Sequence, residues 1–308
     1  MSNKNNSIEQ RKTTIGGQAL IEGLMMIGPD KRAMAIRDPN GEIVLEYLEK
    51  SRTNKIEHIP FLRGPVRIFK QLILGTKALM RSAEIAEPED EDEENTITQA
   101  ALYFSVVISI FFSVFLFMIL PGVITDLIRT GIGVVADTRG ISLLLTMLEG
   151  LIRVAIFILY LWLVSRMDDI KRVWQYHGAE HKTIACYEAQ MPLTVENIRN
   201  FTRFHPRCGT SFLFLVMIVS IIVLAFIGWR SRLINFIVRL LLLPFISAIT
   251  YEIIRLVGRY DNVVTRAISK PGLAMQRLTT AEPDDSMLEV AIVAMEAVIP
   301  DVDGSDEW

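Results

Sequence analysis

The sequence predicts a mainly α membrane protein: four transmembrane helices with a small cytoplasmic α+β portion. Three observations carry that prediction. Hydrophobic residues make up 51% of the chain but aromatics only 8%, and the apolar residues gather into four runs rather than spreading as they would in a soluble domain. Lys and Arg gather in the segments on one side of those runs, as cytoplasmic loops do. Outside the runs, strand-like residues flank a turn at Asp38-Pro39-Asn40-Gly41.

The amino-terminal region, residues 1–86, opens on "MSNKNNSIEQRKTT", which is polar and lacks the apolar core of a cleavable signal peptide. "AMAIRDPNGEIVLEY", residues 33–47, reads as a β-hairpin, with Pro39 preset for the second turn position and Gly41 free to take positive φ. Residues 61–84 read as a basic amphipathic helix: Arg67, Lys70, Lys77 and Arg81 recur opposite Val66, Phe69, Ile73 and Leu79-Met80. Such a helix suits an anionic membrane surface, or packs on the protein's own cytoplasmic part. Residues 87–95 form an acidic linker, since "EPEDEDEE" can bury nothing.

The first span is predicted at 96–125, a stretch without a charged residue that exceeds the roughly 20 residues needed to cross hydrocarbon. The second, 140–164, is interrupted only by Glu149 and Arg153, whose i, i+4 spacing lets them pair. The third covers 209–229 and the fourth 233–256, the latter containing Arg239, Pro244 and Glu252. Trp162 and Trp229 fall at span ends, where indole rings favour the interface. The segment 166–208 between spans two and three carries seven Lys and Arg residues from Arg166 to Arg207, which predicts that it and both termini are cytoplasmic. The charges inside spans face the bundle interior and pair, or line a polar path. The tail, 257–308, carries a predicted amphipathic helix at 284–298, with Asp284 and Asp285 in its first turn and Met287, Val290, Ala291, Ala294 and Met295 on one stripe. No nucleic-acid motif is present.

The chemistry concentrates in "YHGAEHKTIACYEAQ", residues 176–190. On a helix His177 and His181 project from one face, about 5–6 Å apart at Cβ, so both can bind one cation. The order H-x-x-E-H is the inverted zinc-peptidase motif, in which the glutamate, here Glu180, takes a proton from water. "FHPRCGTSF" adds His205 and Cys208, so three of the four histidines and both cysteines lie between 177 and 208. A closed tetrahedron of His177, His181, His205 and Cys208 would only staple the fold. An open site of three ligands, with Glu180 as general base, would be catalytic. A third reading needs no metal and treats the histidines as ordinary hydrogen-bonding residues. Cys186 and Cys208 are expected as reduced thiols in a cytoplasmic segment.

Five stretches, "GGQALIEGLMM" at 16–26, "YHGAEHKTIACYE" at 176–188, "HPRCGTSF" at 205–212, "LLLLPFISAITYEIIRL" at 240–256 and "PGLAMQRLTTAEPDDSMLEVAI" at 271–292, together resemble the bacterial YqhQ-like membrane family, in order along nearly the whole chain. The resemblance implies a cytoplasmic-membrane protein of unknown function, described as a predicted metal-dependent enzyme. Its distinctive polar positions correspond here to Glu22, His177, Glu180, His181, His205, Arg207, Cys208 and Glu252. The glycines of "IGGQALIEGLMMIGP" allow close backbone approach, so this apolar stretch is expected to dock at the cytoplasmic mouth of the bundle. Glu22 is then a further ligand or proton acceptor, or a partner of Arg203 or Arg207.

The functional expectation is a multi-pass protein of the cytoplasmic membrane with a divalent metal, zinc by donor type, and a hydrolase or peptidase activity on a substrate at the membrane interface. The alternative is a non-enzymatic transporter or assembly factor, with a structural metal or none. The expected partners are the lipid bilayer and that interface substrate, without nucleic acid.

Overall fold

The computed structural model describes residues 11–49, 55–87, 95–134, 138–228, 231–302 and 304–307. Most of the acidic linker 87–95, and Trp229 as an interfacial anchor, lie outside these residues.

Four strands form an antiparallel meander in the order β1-β2-β3-β4: β1 Gly16–Leu20, β2 Gly23–Ile27, β3 Arg32–Arg37 and β4 Ile43–Tyr47. The stretch 33–47 is therefore only half of a larger sheet. The docking segment expected at 16–26 is itself a hairpin, closed by Ile21 and Glu22, with Glu22 in the left-handed region at φ 49°. Both faces of the sheet are covered. Leu24, Met26, Ala33 and Ala35 join one apolar cluster, while Leu20, Met25, Met34 and Ile36 join another. That is why β2 reads as a continuous apolar run and not as an alternation.

Helix α1, Arg63–Ala86, covers the second face with Leu74, Ala78 and Ile85. The first face packs on α5, Asp168–Glu188, and α10, Asp285–Glu296. α10 is capped by the Asp284 carboxylate, which accepts from the Met287 amide at 3.0 Å, one of the orphan donors a helix start must satisfy.

Among the described residues, four helices are long and apolar enough to cross a membrane: Phe104–Gly131, Arg139–Val164, Gly209–Ile227 and Leu233–Arg259. The first runs from α2, Asn95–Val114, through a π-turn at Phe115–Ile119 into α3, Leu120–Gly131. The others are α4 Arg139–Val164, α7 Gly209–Ile227 and α8 Arg232–Arg259. α4 and α7 run antiparallel and close: Cβ atoms added at Gly150 and Gly228 would lie 2.3 Å from Ile221 and 2.9 Å from Ser142. The short α6, Val195–Arg199, follows α5. α9, Val263–Thr279, lies along α7, where Gly272 admits Ser211. Pro271 sits inside α9, so the sequence alone shows no helix there.

The charges within these apolar helices pair. Glu149 accepts from Arg153 at 2.9 Å and from Arg239 on both oxygens, and all three side chains are at most 11% exposed. Arg153 also donates from Nε to the Phe117 carbonyl, 2.9 Å away inside the π-turn, where the changed helix pitch alters carbonyl pairing. Glu252 pairs with Arg63 through two bonds of 2.8 and 2.5 Å, tying α1 to the end of α8.

Removing one partner of a buried ion group leaves an uncompensated charge, a cost of roughly 3–5 kcal/mol. Glu149→Gln is expected to lower the unfolding midpoint in detergent far more than Arg239→Leu, which leaves Glu149 and Arg153 as a neutral pair. Equal losses in thermal unfolding would contradict the triad.

Candidate metal centre

The site is built on α5. Residues Tyr176 through Ile184 are buried without a break, so α5 is enclosed on every side at this level. The polar groups it carries must find partners there.

His177 and His181 lie on one face and meet edge to face, ring centroids 4.4 Å apart. The Nδ1 of His177 lies 2.7 Å from the Thr279 carbonyl oxygen, and the Nδ1 of His181 lies 2.6 Å from the Arg203 carbonyl oxygen. A carbonyl only accepts, so each Nδ1 carries a proton, and in the neutral ring Nε2 is the nitrogen left to bind a metal. This is how metal-binding histidines are oriented. The His177 Nε2 sits 3.1 Å from the Cys208 Sγ, whose residue caps the start of α7. One ligand atom from each of His177, His181 and Cys208 lies within 4.8 Å of the other two. Two imidazoles and a thiol are donors that suit zinc and similar borderline-soft ions.

Glycine explains the close packing. A Cβ at Gly178 would meet the Ala281 carbonyl oxygen at 2.1 Å, so only glycine lets the 279–283 segment lie on α5. There the Ala281 amide donates to the Trp174 carbonyl at 2.8 Å, and Thr279 reaches His177. Gly17 of β1 plays the same part for Glu180: its amide donates to the Glu180 Oε1 at 3.1 Å, and a Cβ there would lie 2.9 Å from the Glu180 Cδ. Burial raises the Glu180 carboxyl above the ordinary carboxylate range, against the pull of His177 and the Gly17 amide.

His205 stands beside this group but not in it. Its ring centroid is 5.6 Å from that of His181, and its Nε2 faces Glu188 Oε2 at 3.6 Å and the Arg207 guanidinium at 3.3 Å. Burial lowers its pKa to about 4, so the ring is neutral near pH 7. Gln276 of α9 clamps its backbone, accepting from the amide at 2.8 Å and donating to the carbonyl at 2.7 Å. Arg207 pairs with Glu188 and the Thr13 carbonyl. Glu188 also accepts from the Thr13 amide at 2.8 Å. Burial alone would raise Glu188, yet these hydrogen bonds and charges hold it below its usual value.

Two other candidate residues are placed elsewhere. Glu22 lies at the β1–β2 turn, bound by Arg172 and not by Arg203 or Arg207, and Glu252 of α8 is held by Arg63 of α1. Neither belongs to the donor group. Arg203 instead donates to the Thr280 carbonyl at 2.9 Å.

His177, Glu180, His181 and Cys208, with Gly17 and Arg207, line a cavity of about 600 Å³. Trp174 lines it too, and its indole N–H is buried without a partner among the described residues. The arrangement offers two imidazoles and a thiol to one cation, next to a buried carboxylate, on the wall of a space large enough for a small molecule.

Comparison with known proteins bears on the family. A family model described as "Protein of unknown function (DUF1385)" matches residues 59–301. The chain belongs to this family. It is also 35% identical over 291 residues to the uncharacterized protein YqhQ of Bacillus subtilis (strain 168), an alignment covering 90% of this chain and 89% of that protein. No solved structure matches it significantly.

The residues that sequence reasoning missed are those acting through backbone or through charge: Gly17, Thr279, the Arg203 carbonyl, Gln276 and Glu188. The glycine inside the motif was the available signal, because a mid-helix glycine marks a close approach. Gly178→Ala is expected to shift Thr279 off His177 and weaken metal binding by about 10- to 100-fold, the usual cost of losing a ligand's orienting bond. Chelator competition on the purified variant measures it. Undiminished affinity with an unchanged fold would contradict the role given to Thr279.

Proposed function

We propose that this DUF1385 protein is a four-span protein of the cytoplasmic membrane whose cytoplasmic face carries a metal-dependent hydrolase, with His177, His181 and Cys208 holding a divalent ion. The observation that carries this reading is the pairing of two features: both Nδ1 atoms are committed to carbonyls, and the three remaining donors converge on an open cavity beside Glu180. Three protein donors and a free side are the pattern of a catalytic site, while structural sites close with four. Lys and Arg in 166–208 support the cytoplasmic placement.

A bound divalent ion would supply a Lewis acid and lower the pKa of a neighbouring water. The chain supplies the rest. Glu180 is placed to take the proton from a water in the cavity, with one oxygen held by Gly17. Its raised pKa suits a base that must later return that proton. His205, neutral and held outside the donor group, acts with Arg207 and Glu188 to fix the segment that presents Cys208.

Glu180→Gln separates a base from a structural residue. In the zinc-loaded protein it is expected to keep its metal and to lose hydrolysis of a p-nitrophenyl ester by about 10²- to 10⁴-fold, the range for a positioned base. Unchanged hydrolysis, or a wild type with no metal-dependent hydrolysis of ester or amide probes, would contradict the enzymatic reading and favour a stapled transporter or assembly factor.

A further inference from the structure

A second cavity, about 560 Å³ in volume, lies between α1, α7 and α8. Its walls are apolar: Ile68 and Leu72 from α1, Phe212 and Leu213 from α7, and Ile254 from α8. It adjoins the metal cavity, for Gln18, Gln71, Arg207, Cys208, Gly209 and Leu213 line both. Two of its three walls are helices long and apolar enough to cross a membrane.

The third wall suits a membrane surface. α1 exposes Phe69, Leu72, Ile73 and Leu79 at 40% or more, on a helix that also carries Arg67, Lys70, Lys77 and Arg81. Apolar groups of this size on an amphipathic helix beside spanning helices belong at the boundary of headgroups and acyl chains. The groove is thus bounded by elements that contact lipid, and its inner end is the Cys208 ligand. Gln18 forms the threshold: its side chain packs on Gly75, where a Cβ would come within 2.2 Å of it, and its oxygen lies 3.5 Å from the Gln71 amide nitrogen.

We infer that the substrate is an amphiphile drawn from the bilayer, whose single hydrocarbon chain lies in the groove between α1, α7 and α8 while its acyl carbonyl is delivered past Gln18 to the His177, His181 and Cys208 site. This rests on the metal-site reading above and adds its substrate class. A water-soluble peptide or ester would leave the groove without a use, because its apolar wall gains only from burying hydrocarbon.

The test uses the full-length protein in phosphatidylcholine nanodiscs, loaded with cobalt, whose visible spectrum reports ligation by a hydroxamate. Acetohydroxamate carries the metal-binding head alone, and octanohydroxamate adds a chain. Each buried methylene multiplies a binding constant by roughly fourfold, so octanohydroxamate is expected to bind at least about 100-fold tighter. Ile68→Trp and Ile254→Trp, on opposite walls, are expected to remove most of that advantage and leave acetohydroxamate binding unchanged, which also shows that the variants are folded. A long-chain advantage that is absent, or that survives both substitutions, overturns the inference while the metal site stands. If cobalt does not bind, or neither hydroxamate alters its spectrum, the metal-site reading fails and this inference with it.

Discussion

Enclosure of α5 is the constraint on which the rest of the structure depends. A helix that carries His177, Glu180, His181 and Lys182 at buried positions needs neighbours to answer those four groups, since an unpaired buried group costs about 1–3 kcal/mol. The answers come from distant parts of the chain: Thr279 at the end of α9, Arg203 before α7, and Gly17 on β1. The sheet, the tail and the segment leading into α7 are thereby assembled around one helical turn. The same bonds that satisfy α5 leave two imidazole lone pairs and one thiol facing each other.

The sheet shows how apolar packing serves this arrangement. Odd positions of β1, Gly17 and Ala19, face α5, while Gln18 and Leu20 face α1. The period of two along a strand therefore sends Gly17 to Glu180 and Gln18 to the groove beside α1. One strand sets the wall of both cavities. Its glycine is there because the carboxylate and the Met25 carbonyl leave no room for a side chain.

Much of this was legible in the sequence, and the reasons for the rest are specific. Long apolar runs mark four helices able to span, and the i, i+4 spacing of His177 and His181 with Glu180 between them marks a shared face. The pairing of Glu149 with Arg153 follows from the same spacing. The hairpin at 16–27 was hidden because β2 is covered on both faces and because a glutamate, not a glycine, takes the positive φ of its turn. The choice between His205 and Cys208 was closed to spacing, since both lie in one short segment. In the folded chain Gln276, Arg207 and Glu188, from 2 to 71 positions away, hold His205 aside from the group formed by His177, His181 and Cys208. Glu22 and Glu252, singled out as polar residues in apolar stretches, are explained by Arg172 and Arg63, partners that no local pattern reveals.

The most direct measurement is X-ray absorption at the zinc edge on the zinc-loaded, full-length protein. The account predicts one sulfur at about 2.3 Å and two imidazole nitrogens at about 2.0–2.1 Å, with the remaining ligand a light atom from solvent. A shell of three imidazoles without sulfur, or a protein that takes up no zinc, would contradict it.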